Sequence, residues 1–153
     1  MSIHTLKREQ FLPIGIEESW DFFSDPRNLK LITPPELGLD ITSDKNPGEI
    51  YEGMIITYNV RPLPGITSTW VTEITHVKKP HYFIDEQRIG PYRLWHHQHF
   101  FKKHDDGIIA EDLIHYAVPC GPLGNLLNSI YIRNNLDNIF NYRNKVLDEL
   151  FNK

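Results

Sequence analysis

Three histidines fall within four positions of the stretch WHHQHFF, Trp95 to Phe101. On a β-strand, alternation puts His97 and His99 on one face with Trp95 and Phe101, and His96 and Gln98 on the other. Two imidazoles pointing the same way can do three kinds of chemistry. With a third donor they can ligate zinc, iron or copper. With an orienting carboxylate and an acid nearby they can move a proton. In an apolar wall they can orient a bound molecule. Which applies depends on what shares their face.

The following turn, HDDG, sets that parity. A two-residue loop at Asp106-Gly107, or a four-residue loop over His104–Gly107, pairs odd positions of the first strand with even positions of the second. The shared face then carries Trp95, His97, His99 and Phe101 beside Ile108, Ala110, Asp112, Ile114, Tyr116 and Val118. It is the more apolar of the two, so it is assigned to the interior; a three-residue loop would exchange the faces. The preceding strand adds either Phe83, Asp85 and Gln87 or Tyr82, Ile84 and Glu86, because a bulge near Ile89–Tyr92 reverses parity. The first set is favoured, since it aligns two polar series on one cavity, and Trp70, Thr72 and Ile74 complete the wall.

Each signal has a plainer reading. His97, His99 and Asp112 have metal-like spacing, but they also satisfy one another by hydrogen bonds, as buried polar groups must; no metal and no cofactor are assigned. His97 or His99 as base, with Asp112 or Tyr116 orienting it or acting as acid, is a candidate catalytic set. Any one of Trp70, Phe83, Trp95, Phe101 and Ile114 is equally at home in a core, and a hollow is inferred only from the group. Arg143 falls in the apolar stripe of a C-terminal helix. It either points a guanidinium at Asp85 or Asp112 or rests its stem on the sheet in solvent. His96, Gln98 and His115 face solvent or another subunit.

The elements that must hold these residues are legible from periodicity. Ile3–Phe11 alternates like an edge strand. Ile16, Trp20 and Phe23 share one helical face, closed by Asp25-Pro26. A second short helix is expected over Pro26–Ile32. Strands are expected near Leu37–Ser43, Met54–Arg61, Ser68–Val77, His81–Ile89, Tyr92–Lys103 and Ile108–Val118, with short connections that imply an antiparallel meander. Residues Pro122–Phe151 are helical, but the apolar stripe changes direction. Leu123, Leu126, Leu127 and Ile130 point one way, whereas Ile132, Leu136, Ile139, Phe140, Val146, Leu147 and Leu150 point nearly opposite. Either the helix breaks near Asn128-Ser129 or its two faces are covered in different places; a leucine-rich segment followed by a long helix from about Tyr131 is favoured. The layout is α+β, about seven strands in a curved sheet with two short helices and one long C-terminal helix.

The totals bound the function. A chain of 153 residues is expected to form a single domain, 1–153. A formal charge of −4 argues against general nucleic-acid binding. No apolar run approaches membrane-spanning length, Met1–Thr5 lacks a secretion signature, and the single Cys120 fits a reducing compartment, so a cytoplasmic location without membrane insertion is expected.

The order of elements, with WDFFSDPRNLKLITPP, DEQRIGPYRLWHHQHFF and the closing LDNIFNYR, resembles the START/Bet v 1-like helix-grip superfamily. More narrowly it resembles bacterial SRPBCC proteins described as ligand-binding or cell-division-inhibitor-like. The resemblance spans essentially the whole chain. It implies a cavity between sheet and C-terminal helix that holds a hydrophobic or amphipathic small molecule; some members are cyclases, dehydratases or other lyases, and no catalytic set is common to all. Three functions follow as expectations. The first is binding of a small hydrophobic or aromatic ligand. The second is a cyclase-, dehydratase- or isomerase-type enzyme. The third is a protein-interaction module acting through the exposed strand face or the leucine-rich segment, an arrangement that also permits a homodimer.

Overall fold

The computed structural model describes residues 1–153. Seven strands form one antiparallel sheet: β1 (His4–Leu12), β2 (Asp40–Ile41), β3 (Ile55–Leu63), β4 (Ile66–Lys78), β5 (Tyr82–Ile89), β6 (Leu94–His104) and β7 (Gly107–Ala117). Their order is β1-β7-β6-β5-β4-β3-β2, so β2 to β7 run as a meander and β1 closes against β7. Helix α1 (Ile16–Phe23) and a 3₁₀ turn (Pro26–Lys30) follow β1; α2 (Gly121–Leu127), a π-helical segment (Asn128–Ile132) and α3 (Arg133–Phe151) complete the chain. No helix is long and apolar enough to cross a membrane.

Two expected elements are smaller than the periodicity suggested. The strand expected over Leu37–Ser43 survives only as Asp40–Ile41. Leu37 instead belongs to a 3₁₀ turn after Pro34-Pro35, which ends at Gly38 with a left-handed φ of 54°, a conformation that breaks a strand. The helix expected over Pro26–Ile32 is a 3₁₀ turn ending at Lys30, capped by the Asp25 carboxylate accepting from the Arg27 N–H at 3.0 Å.

Between Leu127 and Arg133 the helix does not break. A π-helical segment inserts an extra residue, turning the stripe by about 100°. The leucine-rich side stays uncovered: Leu123, Leu126, Leu127 and Ile130 are exposed. The α3 stripe, Leu136, Phe140, Arg143 and Leu147, is buried. Polar ties hold α3 alongside β1: Arg133 Nη1 donates to the Thr5 carbonyl at 2.8 Å, Arg8 to Asp137 at 2.8 Å and Asn141 at 3.0 Å, and Gln10 to the Asn144 carbonyl at 2.8 Å.

Two apolar clusters result. In one, Trp20 from α1 meets Phe83 and Phe101 edge-on, with centroids 6.0 and 6.2 Å apart. The other joins Leu6, Trp95, Ile114, Tyr116, Leu136 and Phe140. The histidine strand passes between them.

Candidate functional site

The β6–β7 hairpin closes with His104 opposite Gly107, leaving Asp105-Asp106 as the loop. Odd positions of β6 therefore face even positions of β7: Trp95 opposite Tyr116, His97 opposite Ile114, His99 opposite Asp112 and Phe101 opposite Ala110. On the other side Phe83 lies opposite His99 and Asp85 opposite His97. The β4–β5 pairing shifts twice, between Val71 and Thr72 and between Ile74 and His76. The shifts cancel, so Thr72 and Ile74 share the face of Asp85, and Val77 that of Phe83.

These strands and α3 bring together five ionisable side chains. His97 Nε2 lies 2.7 Å from Asp112 Oδ1, and His99 Nε2 lies 2.6 Å from Asp85 Oδ2. His99 Nδ1 is 3.3 Å from Asp112 Oδ1, while His97 Nδ1 is 3.8 Å from Asp85 Oδ2. Arg143 Nη1 donates to Asp112 Oδ1 at 3.4 Å. The rings are stacked as well: His99 lies on Phe83 with centroids 4.1 Å apart and on His97 at 3.7 Å. His97 meets Phe140 and Trp95 at 6.1 and 6.2 Å.

Burial acts on the two carboxylates and the two imidazoles, and their partners decide its outcome. Burial disfavours the carboxylate of Asp112, but Arg143, His97 and His99 outweigh it and hold that group well below the usual range. Asp85 is likewise pushed up by burial and drawn down further by His99, His97 and Arg143. The two imidazoles diverge. Burial and the adjacent His99 charge lower His97 against the pull of Asp112 and Asp85. For His99 burial also acts downward, but hydrogen bonds to Asp112 and Asp85 win and raise it. The face of Phe83 is a favourable neighbour for the cationic ring. The two stacked rings are thus driven apart, His97 downward and His99 upward.

An apolar cavity of about 220 Å³ lies against this cluster. Of the residues singled out in the sequence, Trp70, Thr72, Ile74, Phe83, Asp85, Trp95, His97 and Arg143 line it. His99 and Asp112 stand behind His97 and Arg143, within the ionic cluster. Phe101 packs on Phe23, with ring centroids 5.1 Å apart, and Ile114 is fully buried in the second cluster. Tyr116 donates its hydroxyl to buried Asn128 at 2.8 Å. Gln87 turns away to the backbone of Tyr92, donating to its carbonyl at 2.6 Å and accepting from its N–H at 3.1 Å. Leu136, Ile139 and Phe140 from the α3 stripe also line the cavity, as do Tyr58 and Tyr92, which had no site role expected of them. Tyr58 shares strand parity with buried Ile56 and Val60, a signal that was available. Its hydroxyl lies 3.1 Å from Thr72 Oγ1, and burial pushes its pKa up.

Asp85, His97 and His99 bring possible ligand atoms within 4.8 Å of one another. Imidazole lone pairs lie in the ring plane, however, and these two rings are inclined by only 27° in their stack. Their lone pairs run side by side instead of converging on one ion. Each ring nitrogen Nε2 holds a hydrogen bond to a carboxylate, His97 to Asp112 and His99 to Asp85.

No family model matches the sequence, and no curated protein matches it. Solved structures do. Protein CV1439 from Chromobacterium violaceum superposes with a TM-score of 0.73 at 12% identity, covering 98% of this chain and 99% of that one. Protein Ms6760 from Mycobacterium smegmatis matches with a TM-score of 0.64 at 19% identity over 98% of each chain. Ara h 8.0201 matches with a TM-score of 0.65 at 13% identity, covering 95% of this chain and 98% of its own. At such identities the likeness speaks for the fold, and together with the seven-stranded sheet and the long terminal helix it leads to one conclusion: this chain has the START/Bet v 1-like helix-grip fold.

Proposed function

We propose that the protein binds a small hydrophobic or aromatic molecule between the sheet and α3, with His97, Asp85 and Arg143 orienting its polar end. The observation that carries this is the cavity itself, an apolar wall of Trp70, Trp95, Phe83 and Phe140 interrupted on one side by a buried ionic cluster. Apolar lining with a few convergent polar groups is the usual form of a small-molecule site. Its volume of about 220 Å³ lies below the ~300–1,000 Å³ typical of drug-sized ligands, so it suits a molecule of one or two rings. The test is titration with the neutral probe 2-naphthol, followed by tryptophan emission. Saturable one-to-one binding that disappears in Ile139→Trp, which fills the cavity, supports the reading; absence of saturable binding overturns it.

An enzymatic reading of the cyclase, dehydratase or isomerase type draws on one feature. His97 is oriented by Asp112 through Nε2, and its Nδ1 is beyond hydrogen-bond distance of Asp85, as a neutral general base would be. Recovery of a co-purifying molecule chemically unchanged after prolonged incubation, by mass spectrometry, would remove it.

A further inference from the structure

Two of the residues beside the cavity each carry a buried N–H group with no acceptor. One is Nε of Arg143, a residue only 7% exposed, and the other is Nε1 of Trp70. Both residues line the cavity. Buried donors are almost always paired, so two orphans against one apolar cavity point to an acceptor that arrives from outside.

The orientation of the guanidinium narrows the acceptor's chemistry. Nη1 is directed at Asp112. The Nε and Nη2 groups form the other edge of the plane, two parallel N–H bonds matched in spacing to the two oxygens of a carboxylate. Asp112 does not neutralise Arg143 alone, because both histidines share that carboxylate. A phosphate dianion would meet one free cationic edge with two carboxylates close behind it, a poor match.

We propose that the ligand is a small apolar or aromatic carboxylic acid whose carboxylate seats on the Nε–Nη2 edge of Arg143, with Trp70 Nε1 donating to a second acceptor on the molecule. This deepens the ligand-binding reading and rests on it. The carboxylate anchors and the apolar walls take up the ring. His97 and Asp85 border the same polar end, which limits the size of the headgroup.

The experiment compares matched probes on the full chain by isothermal titration at pH 7: 1-naphthaleneacetate against 1-naphthaleneacetamide, and 4-phenylbutyrate against its amide. Each pair differs only in the charge and donor pattern of the headgroup. The acid should bind about tenfold more tightly than the amide, the difference between a charge-assisted and a neutral hydrogen bond. In Arg143→Gln the two should bind alike. Arg143→Lys, which keeps a cation beside Asp112, should retain only part of the preference, because the planar fork is gone. If the amides bind as tightly as the acids in the unaltered protein, the carboxylate proposal is overturned while the ligand-binding reading stands. If neither member of either pair binds, both fall. The comparison in the unaltered protein decides the matter even where a variant fails to fold.

Discussion

His97 and His99 lie face to face with ring centroids 3.7 Å apart, yet beside the same two carboxylates their pKa values move in opposite directions. His99 reaches both Asp85 and Asp112 at hydrogen-bond distance, whereas His97 reaches only Asp112. Two stacked imidazolium ions would repel, which drives their titrations apart. Long-range ¹H–¹⁵N spectra recorded against pH should show His99 titrating above the ordinary histidine value and His97 below it. The stability from His99 is present below about pH 6.5 and is lost as pH rises through its raised folded value. That from neutral His97 is present above about pH 6.5 and is lost as pH falls through its lowered value. In Asp112→Asn both values should move down, since Asp112 raises each. Coincident titration of the two rings would contradict this assignment.

Asp112 is the hub that Arg143, His97 and His99 share. Removing it leaves a guanidinium without a hydrogen-bonded partner and two histidines each missing one. Asp112→Ala should cost about 3–5 kcal/mol in urea denaturation, with Asn recovering only the part that comes from neutral hydrogen bonding. The carboxylate's own contribution should be complete above about pH 4 and fade as acid protonates it.

The two halves of the terminal helix should differ sharply in sensitivity. Leu136 is 3% exposed, whereas Leu123 is 61% exposed. Leu136→Ala should cost about 2–5 kcal/mol, while Leu123→Ser should change stability by no more than about 0.5 kcal/mol. Thermal or chemical denaturation of the two variants checks both figures.

Gln87 acts on the site by positioning. Its amide bridges both the N–H and the carbonyl of Tyr92, fixing the β5–β6 turn and with it the register that sets Asp85 opposite His97. Gln87→Ala should cost about 1–3 kcal/mol, since two polar backbone groups lose their partner. Amide hydrogen exchange at Tyr92 should accelerate. Unchanged exchange there would show that the turn holds without it.

Gly107 guards the hairpin that sets the histidine face. A Cβ there would meet the Leu12 carbonyl oxygen at 2.2 Å, and backbone on the paired β1 cannot yield as a side-chain tip would. Gly107→Ala should destabilise by about 1–3 kcal/mol, and a shift of the His97 and His99 resonances would report the strain transmitted along β6.

Much of this was readable along the chain. A strand has a period of two, so WHHQHFF had to send His97 and His99 together, and the short HDDG connection limited their partners to one parity or the other. The helical spacing of Leu136, Phe140, Arg143 and Leu147 likewise put the guanidinium on the stripe that packs against the sheet. What linear order could not supply was the sum of offsets between strands. Two one-residue shifts in the β4–β5 pairing cancel, and neither leaves a local mark that distinguishes it from none. Nor could it separate cavity from core, because an aromatic ring has the same pattern in both. Phe101 is packed solid against Phe23 while Trp95 borders a hollow. Gln87 has the right parity for the wall yet bonds its own turn, and Asp112 has the right face yet does not line the cavity. Each of these outcomes depends on distances across four strands and a helix, which are set only when the sheet coils and the helix docks.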